Sequence, residues 1–473
     1  MNRASVLSGL CLALAAALSG CQVGQDFQRP QGNEVEWLPV RGEQAVSHVN
    51  TTPIGVRWWD IFKDAELSSL IDHASASNIS VKIAATRLAQ SQAAREVVTG
   101  EQLPRVSGDV AYRRKRNSAE GLSDPSGNQG RAAFNQWDGG LTASWELDLW
   151  GRVEREVEAA NANVDVAESE RRAALLSLQA EVARDYLQLR GVQAVLKVTR
   201  QNLQLSRNSL ELSQVRQGSG VATNLDVAGA AAQVAAVESR LPVLEQRQAQ
   251  LINALGLLLA QTPRALQAEL EKSAQPIALP ATVPVGLPSE LAQRRPDIRR
   301  AEARLHAATA SIGVAEGDFY PRIVLSGNVG FQALQLADFG SWGSRQFGIG
   351  PQLSLPIFEG GRLRGMLNLR EAQGQEAALA YQQTVLQAWQ EIDDSMSLYN
   401  ASQLQQRKLD EAVRQNRIAL DTAKLQYVEG VVDFLNVLTV QRTLLDVEEQ
   451  WVQSSTTQAQ ALVGLYTSLG GSW

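Results

Sequence analysis

Four stretches of this chain alternate apolar and polar residues one by one, and four strands are too few to close a barrel. The clearest stretch starts at Trp137. There Trp137, Gly139, Leu141, Ala143, Trp145, Leu147 and Leu149 alternate with Asp138, Gly140, Thr142, Ser144, Glu146 and Asp148. Period-two alternation over about a dozen residues gives a strand with one apolar face, long enough when tilted to cross a bilayer. Ile323, Leu325, Val329 and Phe331 alternate with Ser326, Asn328 and Gln332. Phe347, Ile349, Leu353, Leu355 and Ile357 alternate with Gln346, Gln352 and Ser354. A weaker stretch sets Val106, Val110 and Tyr112 against Ser107, Asp109 and Arg113. A sandwich with one wet face has the same pattern. Here, however, the remaining chain is helical and leaves no second sheet, and the loops near 117–135 and 333–345 are rich in Gly, Ser, Asp and Asn. In lipid, an open edge would leave unpaired backbone groups at several kcal/mol each. Closure takes about eight strands, so several copies must pool theirs: two give eight with a filled interior, three give twelve with room for a channel.

The chain is also written twice. "LPRVSG" at 103–108 returns as "YPRIVLSG" at 320–327, "WELDLWGRVERE" at 145–156 as "LPIFEGGRLRGM" at 355–366, and "GVATNLDV" at 220–227 as "GVVDFLNV" at 430–437. The pairs Arg152/Arg362 and Gly220/Gly430 share one offset, so order and spacing repeat together. Each half reads as helix, two strands, very long helix, break, long helix. Residues 152–216 and 361–428 carry a helical pattern without proline, rich in Ala, Gln, Glu, Arg and Leu, a coiled-coil composition. At 1.5 Å per residue each helix could reach roughly 100 Å. Ala159, Ala160, Ala162 and Ala167 allow close packing on both flanks, which a tube wall demands. A long coiled coil without a lumen has the same composition but leaves the strands unexplained.

Residues 1–20 carry a basic start, a short apolar run and small residues at the end, as in a secretory signal. Leu18-Ser19-Gly20-Cys21 resembles the bacterial lipobox, which implies diacylglycerol and an N-acyl chain on Cys21; Gln22 in the next position favours the outer membrane. Cys11 leaves with the signal, so no free thiol would remain in an oxidising periplasm. Beyond the signal no apolar run approaches the ~20 residues of a membrane helix, so any span is made of strands. The net charge of −6 gives no reason to expect nucleic acid, and His48, His73 and His306 are too isolated to hold a metal. No nucleophile, base and orienter come together in the pattern, so neither a catalytic residue nor an enzyme is expected.

Four further stretches carry a family resemblance: "CQVGQDFQRP", "WWDIFKDAELSSLIDHA", "LAQRRPDIRRAEARLHAATASIGVAEGDFYPRIVLSG" and the closing "LYTSLGGSW". Together they resemble the outer-membrane efflux factors, TolC-like channels of tripartite pumps, in the lipoprotein (NodT) branch. The resemblance implies a mixed α+β membrane protein. A homotrimer would form a twelve-stranded barrel, four strands per chain, joined to a periplasmic α-helical barrel with an equatorial region. It further implies an adaptor (membrane fusion) protein and an inner-membrane RND-type transporter as partners, in the outer membrane of a Gram-negative cell. The duct would passively export small toxic compounds. A type I protein secretion duct and a structural envelope lipoprotein are the alternatives.

The organisation expected is a lipidated segment at 21–62, repeat 1 at 63–256, a linker at 257–296 and repeat 2 at 297–473. Strands are expected near 105–117, 135–149, 322–333 and 346–358, with returning helices at 223–256 and 433–468. Pro296 suits the first turn of a helix running to Phe319. The breaks at 216–226 and 428–437 need glycine for a positive φ. In the family such turns meet the adaptor, which points to Gly220, Val221, Gly430 and Val431. The family's pore constriction falls on Leu435 and Thr439. Relatives that read "LLDAQR" carry an aspartate where this chain reads "VLTVQR" with Thr439. Asp433, Asn436 and Asp226 are the remaining polar gate candidates, though Asp433, like Thr223, also stands where an N-cap belongs. "YRRKR" at 112–116 is the densest basic run, suited to lipid phosphates or to a solvated loop base.

Overall fold

A computed structural model describes residues 22–29, 48–50, 55, 57–118, 132–272, 279, 282–284 and 294–471; Cys21 and the signal segment lie outside them. In chain order the described elements are β1 (His48–Asn50), α1 (Ala65–Ser77), α2 (Ile79–Thr99), β2 (Arg105–Lys115), β3 (Phe134–Leu147), α3 (Arg152–Gly218), α4 (Asn224–Glu238) and α5 (Arg240–Leu258). The short α6 (Gln267–Leu270), β4 (Thr282–Pro284), α7 (Pro296–Gly317), β5 (Arg322–Ala333), β6 (Arg345–Ser354), α8 (Arg362–Val428) and α9 (Phe434–Ser468) follow. They form two compact units, Met1–Pro30 with Arg87–Ala167 and Ala301–Tyr381, and Gln31–Thr86 with Glu168–Arg300 and Gln382–Trp473. None of the described helices is long and apolar enough to cross a membrane.

The first unit is built on a four-stranded antiparallel sheet in the order β2-β3-β5-β6. Its register turns the alternation of single strands into two whole faces. Val106, Ala143, Gly327 and Ile349 form one row, and Gly108, Leu141, Val329 and Phe347 the next row on the same face. Between them, on the other face, lies the row Ser107, Thr142, Asn328 and Gly348. Val110, Ile349 and Phe347 are 85%, 80% and 79% exposed, so one chain alone presents this apolar face bare. Gly140 stands opposite Gly330, where a Cβ on Gly140 would sit 2.6 Å from the Val329 carbonyl oxygen. The missing side chains let the two central strands approach on the polar face.

Two expectations need correction. The strand expected over 346–358 stops at Ser354. Pro356 has no N–H to continue the ladder, and Leu355 and Ile357 fall outside the strand. The single returning helix expected at 223–256 is broken into α4 and α5 at Ser239, because Pro242 has no N–H for the Glu238 carbonyl.

The second unit carries the main apolar core. Trp58, Leu67, Ile71, Tyr186, Leu255, Leu462 and Tyr466 are buried in it, with Trp58 stacked on Tyr466 at 5.8 Å. Asp64 caps α1 by accepting the Glu66 and Leu67 amides, and the Tyr186 hydroxyl donates to it at 2.7 Å. Contrary to the expectation of no second sheet, parallel β1 and β4 form a small one here, whose three-residue strands are too short to show an alternation and too few to cover the first sheet as a sandwich would. Pro296 opens α7 as its fixed φ favours. Beside it, buried Arg295 donates to Asp297 at 2.7 Å, to Glu391 at 2.6 Å and to the Ser468 carbonyl at 2.7 Å, joining α7, α8 and the end of α9.

Burial alone would raise the Asp297 pKa, but the Arg295 hydrogen bond and charge and the Ile298 amide together hold it below the usual carboxylate range. A depressed folded pKa adds stability that is present above the unfolded value of about 3.9 and is lost as pH falls through the folded one. Asp297→Asn should therefore lower the melting temperature at pH 7, and the gap to wild type should close only below about pH 4. Arg295→Ala should cost about 2 kcal/mol, since it removes the charged hydrogen bonds to Asp297 and Glu391 and the one to the Ser468 carbonyl; thermal melts across pH check both.

Candidate functional site

The two helix-to-helix turns close their first helix in the same way. Gly220 and Gly430 take φ of 74° and 76°. Val221 N–H donates to the Arg216 carbonyl and Gly220 N–H to that of Gln217; Val431 N–H to Gln426 and Gly430 N–H to Tyr427 repeat the pair. This double bond pattern closes a helix on a left-handed residue, which glycine adopts without penalty. Val221 and Leu225 in one turn, and Val431 and Leu435 in the other, are left 65–80% exposed. Beneath them Tyr427, Phe434, Val437, Leu438 and Ala230 pack into a small core.

The polar gate candidates separate here. Asp226 closes a capping box on α4: Thr223 N–H and Oγ donate to its carboxylate at 2.8 and 2.9 Å, and Thr223 Oγ accepts from Asp226 N–H at 3.2 Å. Asp433 holds the N-cap position of α9, but its side chain accepts no capping hydrogen bond. Only its backbone carbonyl serves there, taking the Asn436 amide at 3.1 Å. Its carboxylate is therefore exposed beside Asn436. Leu435 and Thr439 share one exposed face of α9, and the Thr439 hydroxyl is turned back to the Leu435 carbonyl at 2.8 Å.

Sequence reasoning missed the residue that joins the two turns. Arg216 lays its guanidinium 4.6 Å from the centre of the Tyr427 ring and donates to the Val428 carbonyl at 3.2 Å. A cation at the last carbonyls of α8 is favoured by the helix dipole, so the contact ties the end of α3 to the end of α8. The available signal was a basic residue in the last turn before a glycine. Above the turns, α3 buries a polar seam of Thr199, Asn202, Ser206, Ser209 and Ser213. Gln441 donates to Ser206 at 3.0 Å. Glu448 accepts from Asn202 at 3.1 Å and from Arg417 at 2.8 Å, so one carboxylate holds α3, α8 and α9.

In the first unit, residues 22–29 are strapped onto the chain near the sheet. Val23 N–H donates to the Trp150 carbonyl at 2.9 Å. Buried Arg155 donates to the Val23 and Gly24 carbonyls and to Asp26, the last at 2.7 Å. Phe27 stacks on His306 at 4.4 Å, and His306 meets Glu158 at 2.8 Å. Burial opposes the charge of Glu158, but Arg155 and His306 outweigh it and keep the carboxyl below its ordinary range. Gly24, with φ of 91°, lies so close to Gly313 that a Cβ would come within 2.6 Å of its Cα. Among the described residues no cluster of His, Cys, Asp and Glu is suited to a metal.

The family model for outer membrane efflux proteins matches residues 70–261 and again 287–471, one stretch in each half. The chain belongs to the outer membrane efflux protein family. Its relatives include the toluene efflux pump outer membrane protein TtgF of Pseudomonas putida, 33% identical over 98% of this chain and 96% of TtgF. The pyoverdine export outer membrane protein OpmQ of the same species is 33% identical over 88% of each chain. Among solved structures, the outer-membrane channel OprN superposes with a TM-score of 0.87 at 31% identity, covering 96% of this chain and all of OprN. As an outer membrane efflux protein the chain is a channel of the outer membrane, and its long helices are the periplasmic part of that fold. A channel family assigns it no catalytic role.

Arg216→Ala should loosen both turns: amide exchange of residues 215–222 and 425–432 should rise about fivefold to tenfold, the loss of one cation–π contact and one charged hydrogen bond. Gly430→Ala should destabilise its turn by about 1 kcal/mol through the left-handed φ. Hydrogen exchange read by mass spectrometry checks both.

Proposed function

We propose that three copies of this chain close one twelve-stranded barrel and act as the passive exit duct of a tripartite efflux system. One observation carries the reading: the sheet ends in β2 and β6, which lack an outer strand partner among the described residues, while its apolar face lies bare. In lipid those two edges must pair, and β6 of one copy beside β2 of the next continues the antiparallel order. Twelve strands leave a lumen lined by the polar face. The partners are an adaptor that grips the helical turns and an inner-membrane RND-type transporter that supplies the energy.

In this reading Val221, Gly220, Val431 and Gly430 make the adaptor contact, because each turn offers an exposed valine beside a glycine free of side-chain cover. Leu435 is the apolar plug, triplicated by symmetry, with Asn436 and the uncapped Asp433 as its polar collar. Asp226 belongs to the cap rather than the lumen. Cys21 carries the lipid, and the strap at 22–29 that follows it is bonded through Val23 to Trp150, whose ring lies 5.2 Å from that of Tyr320 in the manner of an interfacial aromatic pair.

Bifunctional cross-linking of the purified protein should give a ladder that ends at three copies; a ladder ending at two, or none, overturns the ring. Leu435→Ser should raise resting single-channel conductance in planar bilayers severalfold, and unchanged conductance removes Leu435 from the constriction. Cys21→Ser should still yield trimers and restore resistance to a deletion strain, since the edges and not the lipid hold the copies together; absence of trimers would reverse that order.

A further inference from the structure

The basic run at 112–116 is divided by β2 between the two faces of the sheet. Arg113 lies on the polar face and donates to Asp138 at 2.8 Å, a carboxylate that also accepts from Gln136 at 2.8 Å and Gln332 at 2.7 Å. Lys115 shares that face by alternation. Arg114 falls on the other face, in line with Val106, Val110 and Tyr112, and is exposed. Below it Tyr112 packs on Trp137 at 4.4 Å and donates its hydroxyl to Asn135, the residue opposite Arg114, at 3.0 Å.

The far edge repeats the arrangement. Arg345 opens β6 on the apolar face, in line with Phe347 and Ile349. Its guanidinium lies 4.0 Å from the centre of the Trp342 ring and donates to the Trp342 carbonyl. Each edge strand therefore carries, near the end of the sheet away from the helices, an arginine on a face that is otherwise apolar: Arg345 lies against the Trp342 ring, and Arg114 shares its face with the packed pair Tyr112 and Trp137.

That placement is costly in hydrocarbon and favourable where lipid headgroups begin. An arginine on the lipid side of a barrel is tolerated near the interface, which aromatic rings mark. An arginine fork matches a phosphate bidentately. We propose that Arg114 and Arg345 form a binding rim for the phosphate groups of an outer-leaflet phosphoglycolipid of the lipid A type. This rests on the reading above, in which the apolar face is the lipid-facing wall. Tyr112, Trp137 and Trp342 would meet the sugar and the upper acyl chain, whereas Arg113 is neutralised within the protein and takes no part.

The test is native mass spectrometry of the detergent-purified protein titrated with diphosphorylated lipid A, with dephosphorylated lipid A and with inorganic pyrophosphate. Diphosphorylated lipid A should bind, and binding should weaken about fivefold for each of Arg114→Gln and Arg345→Gln and about 25-fold in the double variant, on a scale of one surface cation per step. Lys115→Gln, which removes the same charge from the polar face, should leave binding unchanged. Equal binding of dephosphorylated lipid A, equal loss with Lys115→Gln, or no effect of the double variant overturns the rim. Pyrophosphate competing at lipid A concentrations would overturn the lipid assignment and leave a free-phosphate site. The same spectra count copies. Trimers whose lipid binding ignores Arg114 and Arg345 overturn the rim alone, while monomers that keep arginine-dependent binding support the rim and overturn the ring.

Discussion

Backbone polar groups cannot be left unpaired in hydrocarbon, and that constraint reaches every level of this molecule. Four strands in strict register produce one face of Val, Leu, Ile and Phe and another of Ser, Thr, Asn, Gln and Gly. With no second sheet of its size among the described residues to cover its apolar face, such a sheet satisfies both faces as a wall between lipid and water. Its two open edges then make one chain an incomplete object. The glycine pair at 140 and 330 serves the same end, since strands that must curl need positions where backbones can meet.

The wall segment is continued in the chain by long helices whose ends are set by sequence. The two 67-residue helices α3 and α8 end on the same glycine-closed turn, so the repeats stop at matching points. Their contacts with α9 are not uniformly apolar. Hydroxyl and amide side chains run along α3 from Thr199 to Ser213, and Glu448 is shared by Asn202 and Arg417. An apolar seam would tolerate sliding, whereas a hydrogen-bonded one has a single register in which its partners meet. Arg216 and Tyr427 then close the seam at its end.

Much of this was legible in the chain because duplication and alternation are one-dimensional signals. The offset joining Gly220 to Gly430 located both turns, and period two located the four strands of the main sheet but not the three-residue β1 and β4. Boundaries were less legible where a proline acted at a distance of a few residues, as Pro242 and Pro356 did. Sites made from remote segments carried no signal at all. Nothing near Arg155 announces that it will hold the Val23 carbonyl, and nothing near Glu448 announces Arg417 and Asn202. Asp226 and Asp433 show the same limit. They stand in equivalent turns three residues out of phase, and only the folded turns decided that the first closes a cap while the second is left a free carboxylate.

The sequence by itself determined the strands, the long helices, the turns and the requirement for further copies, since each depends on periodicity or on the conformational freedom of glycine and proline. The tertiary structure alone decided which polar groups spend their hydrogen bonds internally and which remain available. That outcome depends on which strands and helices meet, across 25 positions where Arg113 is quenched by Asp138 and across 246 where Asn202 reaches Glu448.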